Sequence, residues 1–384
     1  MVNRSVFPLL AENALNSINI GDGDAVLIHG GSHQQEFIEE LAIHIVERGG
    51  QPFIHMVSDQ YMERMFESST IEQLRAAPGI MKGIAQSLDA YIKVEPYADP
   101  SMKARHREKV RAYTEGWQAF SEIVYGTPGK RRLYMGWATP QMAELYGVPL
   151  ETMERLVIGG ATVDYNKIKE ECEHIRDMLK DARYVHATDP HGTDLRLMIE
   201  GRRISLSDAI WSKEKEAMGY ISSNLPTGEV FIPPVETYGE GRLYCPLTVD
   251  DLTRGTLIKG AMLEFKDGRL IPEKCTADTN QEVFIDTLYK LADADLKKFG
   301  DRNAFKVAEF GIGLNPAIDR AIGYILTDEK IRGSIHVAFG KSDMYGGKTN
   351  SHMHWDFVTA PDVTLEVEYR DGSRKMIMDG GKLL

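Results

Sequence analysis

Residues 24–58 read DAVLIHGG, then SHQQEFIEELAIHIVERGG, then QPFIHMVS. The outer segments are short apolar runs bounded by glycines and polar residues, which suits buried strands. In the middle segment Phe37, Leu41 and Ile45 recur at helical spacing, and Gly49-Gly50 stops the helix. A strand, a helix and a strand in close succession constrain a fold strongly. They require a parallel crossover, and hence a layered α/β arrangement. AYIKVEPY and RRLYMGW suit further strands, and ERLVIGG a strand or a helix end. Helices fill roughly 60–76, 101–123, 139–147 and 164–181. The first half is therefore expected to be a Rossmann-like α/β domain. It lacks a dinucleotide fingerprint, because HGGSHQ has two glycines after a strand but no G-x-G-x-x-G. His29 and His33 flank those glycines at a strand end, where α/β folds often hold ligands.

From about residue 184 the texture changes. ARYVHATDPHGTDLRLMIEGRRI looks like two antiparallel strands joined by the turn DPHGTD. GEVFIPPVE, GTLIKGAMLEFKDGRLI, GSIHVAFG, HMHWDFV and VTLEVEYRDGSRKMIMDGGK read as short strands with Asp-Gly hairpin turns. One helix, about 280–299, interrupts them. The expected organisation is an α/β domain over 1–188 and a β-rich α+β domain over 189–384 that carries the chemistry. A length of 384 residues fits two domains comfortably.

Charge narrows the partners. With 57 acidic and 45 basic residues the formal net charge is −12, so nucleic acid phosphates and anionic lipid are poor partners. No run of ~18 apolar residues marks a transmembrane helix, and the N-terminus lacks the long apolar region of a signal peptide. Cys172, Cys245 and Cys275 are widely spaced, without metal-finger spacing, which suits a reducing compartment. The expectation is a cytoplasmic protein with a small-molecule or short-peptide substrate.

SHMHWDFV (351–358) raises the question of chemistry. On a strand, alternate side chains share a face. His352, His354 and Asp356 then fall on one face, and Met353, Trp355 and Phe357 on the other. Such a pattern is either a solvated edge or part of a metal site backed by core. His336 in SIHVAFG and Glu309 in KVAEFGIGLNP also sit in apolar, strand-like runs. A carboxylate in such a run is costly to bury unless paired or coordinated. Glu229 follows Pro-Thr-Gly at a strand entry. Two glutamates, two histidines and an aspartate form a ligand set for Zn, Mn, Co or Fe(II). They exceed the needs of one ion and suggest two with a bridging carboxylate.

HGTDLRLMIEGRR (191–203), NLPTGEVF (224–231), AEFGIGLNP (308–316), IHVAFG (335–340) and HWDF (354–357), in this order, resemble the thermophilic aminopeptidase family of metallopeptidases. The likeness extends more weakly through the N-terminal half. It implies a homodimeric aminopeptidase with a dinuclear site of Zn, Co or Mn. Glu229, Glu309, His336, His354 and Asp356 match the family's metal ligands, with Glu309 also the candidate general base. The family tyrosine usually lies seven residues after the histidine. That position here is Asp343, and Tyr345, two residues on, is the candidate for its role. His352, beside the ligand pair, is a further catalytic or substrate-contact candidate. The 2,5-dihydroxypyridine 5,6-dioxygenases look similar in sequence and open an aromatic ring at one Fe(II). His336, His354 and Asp356 would serve that alternative.

Overall fold

The first crossover forms where the sequence requires it. In this computed structural model, which describes residues 2–76, 79–217, 222–250 and 255–384, β1 (Ala25–Gly31) pairs in parallel with β2 (Gln51–Val57). The helix Gln35–Glu47 between them buries Phe37, Ile38, Leu41, Ala42 and Ile45, one apolar stripe. β3 (Ala90–Val94) pairs in parallel with β1, and β4 (Arg131–Met135) with β3. ERLVIGG is helical throughout. Helix Leu150–Glu154 runs into a π-helical turn, Arg155–Gly159, that buries Leu156, Val157 and Ile158. A short apolar run does not distinguish a buried helix from a buried strand.

The chain forms two compact units, Met1–Tyr165 with Ala209–Thr227, and Asn166–Asp208 with Gly228–Leu384. It thus passes between units near 165, 208 and 227, whereas the sequence reading placed a single passage at 188. β5 (Ala182–Thr188), β6 (Asp194–Met198) and β7 (Ser205–Ser207) belong to the second unit. The chain then returns to add β8 (Ser222–Leu225) beside β4, giving the parallel order β2-β1-β3-β4-β8. SSNL has no apolar run to announce a strand.

The second unit is antiparallel. Its remaining strands are β9 (Glu229–Ile232), β10 (Gly239–Val249), β11 (Leu257–Lys266), β12 (Arg269–Leu270), β13 (Val307–Gly313), β14 (Ile335–Gly340), β15 (His354–Val358), β16 (Thr364–Tyr369), β17 (Arg374–Asp379) and β18 (Lys382–Leu383). They form an eight-stranded sheet, β12-β11-β10-β6-β5-β16-β17-β18, and a five-stranded one, β15-β14-β13-β9-β7. Asp267 and Gly268, at φ of 52° and 72°, make the two-residue hairpin that Asp-Gly favours. The two sheets meet through Phe265 and Phe339, with ring centroids 5.8 Å apart. The apolar face of SHMHWDFV is accounted for here. Trp355 Nε1 donates to Thr248 Oγ1 at 3.0 Å, and Phe284 of helix Gln281–Phe299 packs on Trp355 and Phe357.

Candidate metal centre

The opposite face of the five-stranded sheet gathers the polar residues. Antiparallel register places Glu309 opposite Ala338, Ala338 opposite Asp356, and Gly340 opposite His354. His336 lies opposite Gly311, and Glu229 opposite Gly313. Large polar side chains therefore alternate with glycine or alanine across the face, which leaves room for the former to converge. Gly311 shows how tight the fit is. A Cβ there would sit 2.1 Å from Cε1 and Nε2 of His336.

Glu309 stands at the centre. Its Oε1 is 3.3 Å from His336 Nε2, and its Oε2 is 3.5 Å from His354 Nε2. His354 Nε2 also lies 3.4 Å from Asp356 Oδ2, and His336 Nε2 lies 3.7 Å from Glu229 Oε2. Glu309, His336 and Asp356 offer ligand atoms within 4.8 Å of one another. All five expected ligands are thus brought together, four of them buried and His354 half-buried.

Charge governs the titration. Burial opposes protonation of His336, but the hydrogen bond to Glu309 and the carboxylates of Glu229, Glu309 and Glu329 outweigh it and raise its pKa to about 9. The same contest, with Asp356 foremost among the carboxylates, raises His354 to about 10. Burial lifts Glu229 to about 7 against the pull of Lys330. His354 Nδ1 lies 2.8 Å from the Lys341 carbonyl oxygen, which can only accept. Nδ1 therefore carries a proton, and Nε2 is the nitrogen turned to the carboxylates.

Residues 10–383 match the family model of the thermophilic metalloproteases, M29. The chain belongs to that family. Among solved structures, wild-type AmpT from Thermus thermophilus is similar at 20% identity, with a TM-score of 0.76 over 99% of both chains. The 2,5-dihydroxypyridine dioxygenase of Pseudomonas putida KT2440 is similar at 13% identity, with a TM-score of 0.60 over 100% of this chain and 98% of that one. At such identities these two likenesses show the fold. No curated protein matches the chain.

In this M29 chain the residues fit a divalent cation. Glu229 Oε2 and Asp356 Oδ1 are buried carboxylate oxygens without a hydrogen-bond partner, as is the ring nitrogen His336 Nδ1. Buried oxygens of this kind are costly unless a donor or a cation meets them.

Tyr345 reaches the site although it is displaced along the chain. Its hydroxyl lies 2.9 Å from His354 Nδ1 and donates to the Lys341 carbonyl at 3.0 Å. Burial, then the carboxylates of Glu309 and Asp356, raise its pKa well above the ordinary phenol value. Asp343, seven residues after His336, is exposed.

His352 corrects the sequence reading. It precedes β15, and its Nδ1 and backbone N–H meet Asp295 Oδ1 at 2.8 Å. Its ring packs on Phe299 of the same helix. The period-2 pattern starts only where the strand does, at His354, so His352 turns to the helix that covers the apolar face.

The sequence reading missed two residues. Lys330, 1% exposed, places Nζ 2.9 Å from Glu229 Oε1 and also pairs with Glu329. Glu329 is lowered to about 2; burial opposes this, and the charges of Lys330 and His336 outweigh it. Asp328 anchors their turn by accepting from the backbone N–H groups of Ile322 and Gly323 at 3.0 and 2.7 Å. In the sequence TDEKIRG has the composition of a solvated loop, so nothing there signals burial.

Proposed function

We propose that the protein is a metal-dependent aminopeptidase that releases N-terminal residues from peptides. The observation that carries the two-ion form of this reading is Glu309, whose two carboxylate oxygens each face a different histidine. Such a carboxylate suits a bridging position. Glu229, Glu309, His336, His354 and Asp356 would hold the metal. Glu229 and Glu329 pair with Lys330, while Glu309 and Asp356 meet the imidazoles of His336 and His354. With those imidazoles neutral as ligands, four carboxylates stand against one ammonium, a charge that suits two divalent ions of Zn, Co or Mn. Bound ions of this class activate water and polarise a carbonyl.

The protein groups have separate tasks. Glu309 is placed to accept a proton from an attacking water. Lys341 fixes the His354 ring through its carbonyl, and Tyr345, whose hydroxyl donates to the same carbonyl, braces the ring beside Nδ1. Lys330 orients Glu229 and keeps its charge from adding to the repulsion among the carboxylates.

The strand order β2-β1-β3-β4-β8 supports a Rossmann-like first unit. None of the three cysteines forms a disulfide, which supports a cytoplasmic setting. The sequence resemblance supports a homodimer.

One experiment tests the reaction class. Protein purified without chelator is analysed for metal, then assayed for free amino acid release under nitrogen and for oxygen uptake with dihydroxypyridines after Fe(II) loading. Two Zn, Co or Mn ions per chain with anaerobic cleavage is the expected result. One iron, with oxygen uptake and no cleavage, would replace the proposal by the ring-opening alternative.

A further inference from the structure

One face of the parallel sheet carries polar side chains from edge to edge. His55 of β2 is in register with His29 of β1, and His29 with Lys93 of β3. Lys93 is in register with Tyr134 of β4, and Tyr134 with Asn224 of β8. Parallel sheets ordinarily bury both faces under helices, with apolar residues along each strand. Two residues back on β1 and β3 the rule holds, since Leu27 and Tyr91 pack with Phe120 and Val124. The polar row breaks it, and it is open to solvent. His29, His55, Lys93 and Tyr134 are half-buried and Asn224 is exposed.

The row is rich in donors and poor in counter-charge. The His29 and His55 rings lie 4.8 Å apart, and Trp117 stacks on both at 6.0 and 6.1 Å. His29 Nδ1 meets Tyr91 Oη at 3.0 Å, while His55 Nδ1 is buried without a hydrogen-bond partner. Lys93 Nζ lies 5.7 Å from the Tyr134 ring centre and, among the described residues, has no hydrogen bond or ion pair. The acid on this face, Glu95, is engaged by Lys103 at 3.2 Å and by the Tyr134 hydroxyl at 2.5 Å. Burial first, then His55 and Lys93, push His29 down to about 3.

We propose that Lys93, His29 and His55 form a binding site for an oxyanion, the carboxylate or phosphate group of a small molecule. The Lys93 ammonium supplies the charge and the imidazoles supply N–H donors. Tyr134 and Asn224 continue the row as a polar floor for the rest of the molecule. An anion here meets one ammonium and two imidazoles from three adjacent strands. The site lies within the first unit and does not depend on the peptidase reading.

The test uses the full chain and two probes, inorganic phosphate and acetate, titrated separately while the imidazole NMR signals of His29 and His55 are followed. Saturable shifts of both rings with at least one probe are expected, and the probe that binds more tightly identifies the source chemistry. Lys93→Gln should weaken that binding about tenfold or more. His55→Gln, on the edge strand, should weaken it too and reports if the Lys93 variant does not fold. Lys375→Gln, exposed on β17, should leave it unchanged. No saturable shift with either probe, or equal affinity in wild type and both site variants, overturns the proposal.

Discussion

Each unit places two imidazoles on adjacent strands, and the two pairs have opposite chemistry. His29 and His55 face each other in register beside Lys93, and His29 is held down to about 3 by burial, His55 and Lys93. His336 and His354, also deprived of solvent, are raised to about 9 and about 10 because Glu309, Asp356, Glu229 and Glu329 surround them. Burial pushes both pairs the same way, so the neighbouring strands decide the outcome. A histidine on a strand is therefore uninformative alone. The first pair has the character of an anion site, and the second that of a cation site.

The largest expected effect breaks the second pair's environment by removing its cations. Chelation should abolish peptide cleavage, and Zn, Co or Mn should restore it. It should also lower Tm, since a ligand present at 100 times its Kd contributes about 2.7 kcal/mol. Calorimetry with and without chelator checks this. An unchanged Tm together with full activity would mean that no bound metal supports the fold or the reaction.

Next comes Glu309→Gln, which keeps the shape of the side chain and removes its charge and basicity. Cleavage should fall about 10²–10⁴-fold, the usual range for loss of a general base. Metal content should be measured on the same preparation. Retained metal with lost turnover assigns Glu309 to the chemistry, whereas turnover within tenfold of wild type would reduce it to a charge that holds ions.

The contrast also shows what a sequence conceals. The β-α-β crossover was legible because apolar spacing and Gly49-Gly50 are local signals. The proposed metal-holding residues Glu309, His336, His354 and Asp356 stood out because a polar residue in an apolar strand run is conspicuous, and Glu229 stood out at its strand entry after Pro-Thr-Gly. Lys330 and Glu329 were not, since their burial comes from a turn that Asp328 folds against the sheet. His352 was misassigned because alternation was extended two residues past the start of β15. The polar row from His55 to Asn224 is invisible to any local reading, because its members come from five separate segments that only the sheet's register aligns.

A smaller effect sharpens the steric side of the comparison. Gly311→Ala puts a methyl group where the His336 ring now lies, with contacts of 2.1 Å that require the ring to shift. Metal affinity should fall roughly 10–100-fold, as when the support of a ligating side chain is lost. Competition with a chromogenic chelator measures it. Unchanged affinity would mean that His336 has freedom the packed sheet does not show.

The smallest expected effect concerns acid stability of the first unit. His29 titrates at about 3 in the folded protein and near 6.5 when unfolded, so the native state favours the neutral ring. Its contribution is full above pH 6.5 and is lost as pH falls from 6.5 toward 3, because the unfolded chain takes up the proton first. Full linkage would give more, but a half-buried ring is partly screened, and about 1–2 kcal/mol between pH 6.5 and 4 is expected. Carboxylates elsewhere in the chain also take up protons as the pH falls, so the comparison must be between wild type and His29→Gln. That variant loses the contact with Tyr91 and should be less stable near neutrality, yet its stability should decline less steeply with acid. Urea unfolding at a series of pH values, in buffers free of phosphate and carboxylates, gives the two slopes. Parallel slopes would mean that His29 keeps a normal titration, and the opposition between the two imidazole pairs would then rest on the metal centre alone.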